Sequence, residues 1–578
     1  MRSRHGAEGG FARSLFRGHV REDLLLPFPE MSASERETVT RLLNDLRRLA
    51  TERIDPRLID RERHVPPEVM AGLRDLGLFG WGVPVEYGGL GLSPKGHVRV
   101  MEELGGIDGS IALMVGAHSS TGLRGLIGIG TESQKRRYLP RLASGEWLAA
   151  FAVTEPGAGS DLAGITTRAD PAPNGRDFLL NGNKTWITNG GTASLFTILA
   201  RTGTDESATR PRLTAFLVER DHGLRSGPNE ATLGVRGTST TALYLEDVHV
   251  PAANVLGAPG AGFEVAMDAL ASGRLAVAAA CLGASKELAR LAVERCRHRR
   301  AFGRAIGEFE LVRDKLARAA IDIYALESMT YLTAGRSDAG GDDWALESAM
   351  CKVFGSETCW QVTNDVLQMA GGLGYMADHP FERMLRDARL PPIFNGPNDV
   401  LRTFIALAGL QSPRQRADSW GGLMRKSVHG LAVLGELAIE RARSAVERSA
   451  LDAVHPLLAA EATLLQQSTS RLGSEARRVA RELGTSIAER QLVLTRLADS
   501  ATQLFALAAV LGRTTRAIEA RGEEGARREI ELASGFATIV RRRLAEALGT
   551  LERDEDELLR HIATRISDDG GYPFDPTR

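Results

Sequence analysis

The chain has 578 residues, 43% hydrophobic and 25% charged, the composition of a globular protein of roughly four domains at about 150 residues each. Its 72 Lys+Arg balance 73 Asp+Glu, a net charge of -1 that excludes a strong pull toward nucleic acid or acidic membranes. The cysteines, Cys281, Cys296, Cys351 and Cys359, form no C-x-x-C pair, which excludes a disulfide scaffold and leaves no zinc or dithiol pattern.

No apolar run approaches the ~20 residues that span a bilayer, and the expected compartment is reducing, the cytoplasm. Residues 1–33 read as an N-terminal tail. Arg2, Arg4, Arg13 and Arg17 lend it a transit-like flavour, but no apolar stretch follows and Glu22 and Asp23 intervene, so a solvated tail is expected. Residues 34–147 read as an N-terminal helical domain. Ser34 is its expected first N-cap, followed by Glu35 and Glu37, with Pro66-Pro67 and Tyr87–Gly91 as breaks.

Over 148–257 the period switches to two. Leu195–Ala200, Leu213–Val218 and Ala242–Val250 are β-rich runs, and Asn181-Gly182 favours a tight hairpin. A compact antiparallel barrel or sandwich is expected. Residues 258–412 return to helical spacing, with Val312, Leu316, Ala319, Ala320, Ile323 and Leu326 on one face. After a break at Ser412-Pro413, residues 413–578 read as a C-terminal helical domain with Leu492, Leu494, Leu497, Leu504 and Leu507 as core positions. Trp420–Val446 mixes apolar residues with Arg425, Lys426, Arg441 and Arg443. That pattern fits a surface bundle helix, the preferred reading, or an interfacial helix with peripheral membrane contact. The fold class is α+β, mainly α.

The chemistry begins in the β region. Phe151–Asp161 is a strand that enters a Gly-rich turn, Glu155-Pro156-Gly157-Ala158-Gly159-Ser160, whose N–H groups and hydroxyls suit an anion or a polar ring edge. Trp186 and Thr188 lie two apart, so strand alternation puts them on one face. Taken alone, the turn is an ordinary turn and the tryptophan a packed core residue.

Together these segments resemble the middle domain of the acyl-CoA dehydrogenase family. Arg299-Arg300-Ala301-Phe302-Gly303, Gln368–Tyr375 and Arg386-Asp387 resemble further motifs of that family. Ser14–Gly18 and Gln491–Leu511 are similar to its very-long-chain subgroup, which carries an additional helical domain. The resemblance implies two helical domains around a β-domain, with an extra C-terminal helical domain and non-covalent FAD. It implies fatty-acid β-oxidation, with an acyl-CoA substrate and an electron-transfer flavoprotein as acceptor. It also implies a homodimer, because the cofactor site draws on both subunits, and no nucleic-acid partner.

Residue by residue, it assigns Thr154 and Thr188 to the flavin edge and Trp186 to the ring. Gly159 and Ser160 serve cofactor phosphate or ligand pantetheine. Arg299, Phe302, Gln368, Gly371 and Gly372 hold the FAD diphosphate and adenosine, and Pro397 and Asp399 complete the cofactor set. Arg274, Ser160 and Gly396 are assigned to acyl-CoA, and Gly122 and Gly125 to the open base of a long acyl channel; without the family, those two glycines equally relieve helix crowding. One position departs. The family's catalytic Glu, which takes the α-proton while the β-hydride goes to flavin N5, is Asn395 within Ile393-Phe394-Asn395-Gly396-Pro397. The family's second base position is Gly273. An amide cannot accept that proton. The expected function is therefore FAD-dependent α,β-dehydrogenation of long-chain acyl-CoA, impaired at the base. The alternatives are a catalytically impaired acyl-CoA- and FAD-binding protein, or a flavin oxidase or monooxygenase on the same fold.

Overall fold

The computed structural model describes residues 10–203, 212–339, 344–411, 451–549, 551 and 553–574. The break at Ser412-Pro413 and the helix over 420–446 lie outside the described residues.

The first helix, α1 (Phe11–Arg17), corrects the expectation of a solvated tail. Phe11, Leu15 and Phe16 are all buried. The phenyl ring of Phe11 meets that of Phe505 at 5.8 Å, and the helix ends at Gly18 in the left-handed region. Its apolar spacing, at positions 11, 15 and 16, is a helical face that the arginines around it obscure.

There follow α2 (Ala33–Arg53), α3 (Pro56–Glu62), α4 (Pro67–Asp75), α5 (Pro94–Ile107), α6 (Gly109–Gly116), α7 (Arg124–Ile129) and α8 (Glu132–Ala143). The N-cap of α2 is Ser32 rather than Ser34: its hydroxyl accepts from Glu35 N at 3.2 Å. The Glu35 carboxylate instead accepts from Ser93 N at 2.7 Å and Ser93 Oγ at 3.0 Å, which ties α2 to the start of α5. Between α6 and α7 the chain forms a π-helical turn, Ala117–Gly122, a geometry common at functional sites.

The β region holds β1 (Ala149–Ala152), β2 (Arg168–Pro171), β3 (Phe178–Thr188), β4 (Leu195–Arg201), β5 (Leu213–Glu219), β6 (Arg225–Asn229), β7 (Thr240–Val250) and β8 (Val255–Leu256). Their order is β6-β7-β3-β2-β4-β5-β8, with β1 joined in parallel to β4. Asn181-Gly182 makes no hairpin. It lies inside β3 at a register shift against β7, where a methyl on Gly182 would meet Thr167 Oγ1 at 2.5 Å. The glycine is there for close approach, and Asn181 bonds Asp247 across the bulge.

The bundle comprises α9 (Gly262–His298), α10 (Glu310–Asp338), α11 (Trp344–Ala370), α12 (Pro380–Ala388) and α13 (Asn398–Leu410). The final region comprises α14 (Ala459–Leu483), α15 (Gln491–Gly525), α16 (Arg527–Gly549) and α17 (Asp554–Asp568). Leu494, Leu497, Leu504 and Leu507 are fully buried, but Leu492 is 43% exposed at the first turn of α15. By length and hydropathy α9 and α15 could each span a membrane, contrary to the reading of the apolar runs; both are mostly buried core helices.

Because α1 fills an apolar seat, Phe11→Ala should destabilise the fold by about 3–5 kcal/mol, measured by urea denaturation with far-UV circular dichroism. A loss below about 1 kcal/mol would mean that α1 does not dock there.

Candidate functional site

A cavity of about 1000 Å³ opens where the β region meets the helices. Its walls come from α5, α6, the π-helical turn, the segment after β1, the end of β3, the segment before β7, α9, α11, α12 and the loop between α12 and α13. Thr154, Gly159, Ser160, Trp186, Thr188, Arg274, Asn395, Gly396 and Pro397 all line it, so the fold brings these predicted residues together.

Trp186 is 66% exposed rather than packed in the core. Plain strand alternation does not place it. The register of β3 shifts between Lys184 and Ile187, and Trp186 sits at φ 57, a left-handed conformation uncommon for a bulky side chain. Beneath it lies an ion pair that sequence reasoning missed. Lys184 Nζ donates to Glu155 Oε1 at 2.9 Å and to Val153 O at 3.1 Å. Glu155 also accepts from the N–H and hydroxyl groups of Thr166 and Thr167. Burial opposes the Glu155 charge, yet Lys184 and these donors hold its carboxyl at about 2. Burial outweighs Glu155 at Lys184, whose ammonium falls to about 8. The pair fixes the Gly-rich turn against β3, and Thr185 N donates to Thr154 O at 2.9 Å beside it. The signal was a lone lysine inside an otherwise apolar strand face.

Asn395 lies at φ 57 and Gly396 at φ 95; the first suits asparagine better than most side chains. The Asn395 amide stands over α9, where a methyl on Gly273 would come within 2.6 Å of Asn395 Nδ2 and 2.7 Å of Thr121 Cγ2. The two positions at which the resemblance leads one to expect a base thus occupy one spot, and the glycine makes room for the amide. Arg274 Nε donates to Asn395 O at 3.3 Å. The loop is anchored from below by Lys352, fully buried, whose Nζ donates to Gly396 O at 2.7 Å and Asn398 Oδ1 at 2.9 Å. Burial, with Arg274 nearby, lowers Lys352 to about 7, and burial lowers Arg274 to about 10. A second missed cluster, Asp108, Arg383 and Asp387, lines the cavity elsewhere. Arg383 Nη1 reaches Asp108 at 3.5 Å and Asp387 at 3.4 Å. Burial raises Asp387 to about 6 against the pull of Arg383.

Other predicted residues lie elsewhere. Gly122 packs against Ala149 Cβ, and Gly125 against Leu256 and Val265. Neither is among the residues that line the cavity, whose glycines include Gly105, Gly109 and Gly116. Arg299, Gln368, Gly371 and Gly372 are exposed, and Phe302, between the short strands Arg300–Ala301 and Arg304–Ala305, is 94% exposed. Asp399 is exposed in the first turn of α13.

Residues 36–146, 150–248 and 260–410 match the acyl-CoA dehydrogenase N-terminal, middle and C-terminal domains, and 456–572 match the ACAD9/ACADV C-terminal domain. The chain is 37% identical over 565 residues to the very long-chain specific acyl-CoA dehydrogenase, mitochondrial, of Homo sapiens, covering 96% of this chain and 86% of that one. It is 33% identical over 480 residues to a probable acyl-CoA dehydrogenase of Bacillus subtilis, covering 79% and 76%. Among solved structures, an acyl-CoA dehydrogenase complexed with FAD from Bacillus anthracis superposes with a TM-score of 0.77 at 28% identity, covering 98% and 96%.

The pH behaviour of Lys352 is testable. Its ordinary value is 10.5 and its folded value about 7. Between those limits the unfolded chain holds a proton that the folded chain has released, so stability rises with pH there. The stability of the wild type relative to Lys352→Met should therefore climb from pH 7 to 10, by at most about 1.4 kcal/mol per unit. A flat difference in denaturation free energies would show that Lys352 stays fully charged.

Proposed function

Because the chain belongs to the acyl-CoA dehydrogenase family, we propose that it is a flavoprotein that takes a long-chain acyl-CoA thioester into this cavity and desaturates it slowly between Cα and Cβ. The observation that carries the reading is Asn395, held over Gly273 with its backbone carbonyl against Arg274.

The lining fits FAD. Trp186 offers an exposed aromatic face at the cavity wall, and Thr154 and Thr188 bring hydroxyls to the same wall. Glu155 and Lys184 hold that wall in place. Bound there, FAD supplies the hydride acceptor. The exposed Arg299, Phe302, Gln368, Gly371 and Gly372 would hold the diphosphate and adenosine of the cofactor in a second copy, which makes a homodimer the working assembly. An electron-transfer flavoprotein is the proposed acceptor and the cytoplasm the proposed compartment.

The residues of this chain divide the remaining work unequally. The Asn395 N–H is not donated to any described residue, so it can bond the thioester carbonyl and acidify the α-carbon. The Asn395 side chain cannot then hold the α-proton. The other carboxylates of the lining have occupations: Arg383 engages Asp108 and Asp387, and Asp161 accepts from Ala163 N. Polarisation is kept while proton abstraction is impaired. The same observation favours a second reading, in which the chain binds acyl-CoA and FAD without turnover.

The protein reconstituted with FAD should carry about one flavin per chain, with Trp186 fluorescence quenched; Trp186→Ala should lose most of that quenching. A chain that takes up no FAD would overturn the cofactor assignment. In anaerobic titration with palmitoyl-CoA the wild type should bleach slowly, and Asn395→Glu should bleach on the order of 10²-fold faster, the scale of a positioned general base. Equal rates would place the base elsewhere. Binding without any bleaching in the wild type would select the second reading, and rapid reoxidation by oxygen would point to an oxidase.

A further inference from the structure

Helices α9 and α11 pack against each other with very small side chains at their seam. A methyl on Gly355 of α11 would lie 3.4 Å from Ala278 Cα of α9, so the two backbones nearly touch at that level. One helical turn farther along both helices stand Cys281 and Cys359. They are 3% and 2% exposed, they pack with Ala388 in one small apolar cluster, and both line the cavity. The two residues are thus shut off from bulk water at the wall of the cavity. No C-x-x-C search finds such a pair, because only helix packing brings it together.

The two thiols are not equivalent. Cys281 and Cys359 pack together with Ala388, and their mutual influence pushes the Cys281 thiol up and holds the Cys359 thiol down. Ser285 Oγ, which donates to Cys281 O at 2.7 Å, and Thr363 Oγ1, which donates to Cys359 O at 2.6 Å, also help to hold the Cys359 thiol down. The Lys352 ammonium faces Cys281, and the Asp387 carboxylate faces Cys359. The other cysteines are placed differently. Cys351 pairs with Thr333 Oγ1 at 3.2 Å, and Cys296 lies near the far end of α9.

We propose that Cys281 and Cys359 are a peroxide-responsive pair that closes into a disulfide across the α9–α11 seam. The thiolate of Cys359 attacks one oxygen of a hydroperoxide; an S–O bond forms, the O–O bond breaks, and the leaving oxygen departs protonated as water when the oxidant is hydrogen peroxide. The Cys281 sulfur then attacks the sulfenic acid at Cys359; the S–S bond forms, the S–O bond breaks, and a second water leaves. Two electrons and two protons pass from the thiols to the peroxide. A disulfide requires Cα atoms within about 7 Å, and the close approach of α9 and α11 one turn away favours such a separation. The bond locks the cavity wall at α9 and α11, and thiol reductants reverse it.

The test uses the full-length chain, reduced, desalted and exposed to hydrogen peroxide. Free thiols counted after denaturation should fall from four to two per chain, and a non-reducing digest should yield one linked pair of peptides, carrying Cys281 and Cys359, that dithiothreitol separates. Cys359→Ala, and Cys359→Ser should alanine disturb the fold, should keep all three remaining thiols under the same treatment. Four thiols surviving in the wild type would overturn the proposal. So would thiol loss without the linked peptides, or a cross-link through Cys296 or Cys351.

Discussion

The geometry of this protein depends on backbone-to-backbone contact between α5 and α9. A methyl on Gly283 would fall 1.7 Å from Glu102 O, and one on Gly105 would fall 2.2 Å from Ala280 O. No side chain fits at either place, and on its other flank α9 meets α11 through Gly355 and Ala278. Three helices held this closely leave little freedom for the rest. The level of Gly273 is then set, and with it the place where the loop carrying Asn395 can lie. A partly buried polar network crosses the same seam. Lys286 Nζ reaches Glu102 at 2.7 Å and Glu327 at 2.6 Å, Tyr331 donates to Glu102 at 2.8 Å, and Arg513 of α15 reaches Glu327 at 2.8 Å. The final helical region is therefore tied by charge, as well as by apolar packing, to the helices that shape the cavity.

The consequence at Asn395 is electrostatic as much as catalytic. Arg274 and Lys352 are both cations taken out of water within bonding distance of one short loop. A neutral amide between them offers dipoles but no charge, so burial dominates at both and lowers both. The loop is therefore held by hydrogen bonds to its carbonyls rather than by charge pairing. That design preserves the shape of the loop independently of whether the side chain at its centre carries a charge.

Much of this was legible in the sequence, for physical reasons that differ by element. The helical and β regions announce themselves by periodicity, and the Gly-rich turn and the Arg-x-x-Phe-Gly segment carry motifs short enough to survive without tertiary context. Residues that act through a partner distant in sequence were not legible. Lys184 and Glu155, Lys352 and Gly396, and Arg383 with its two aspartates meet only after folding. Asn181-Gly182 misled because the dipeptide that favours a turn also suits a bulge. Gly122 and Gly125 were ambiguous because a missing side chain reads alike whether it opens a channel or admits a neighbour.

The docking of α1 has a consequence for how the chain comes into being. Phe11 and Leu15 are made long before Leu497, Phe505 and Val540, yet they belong to the same apolar cluster. A methyl on Gly473 would meet Gly18 Cα at 2.4 Å, and Arg477 Nη1 bonds Arg17 O at 2.8 Å. On a ribosome moving at about 5–20 residues per second, the seat for α1 arrives roughly half a minute to a minute and a half after α1 itself. For that interval a greasy, arginine-studded helix is available to whatever handles nascent chains. Its burial therefore waits until residues as late as Val540 have been made and folded against it.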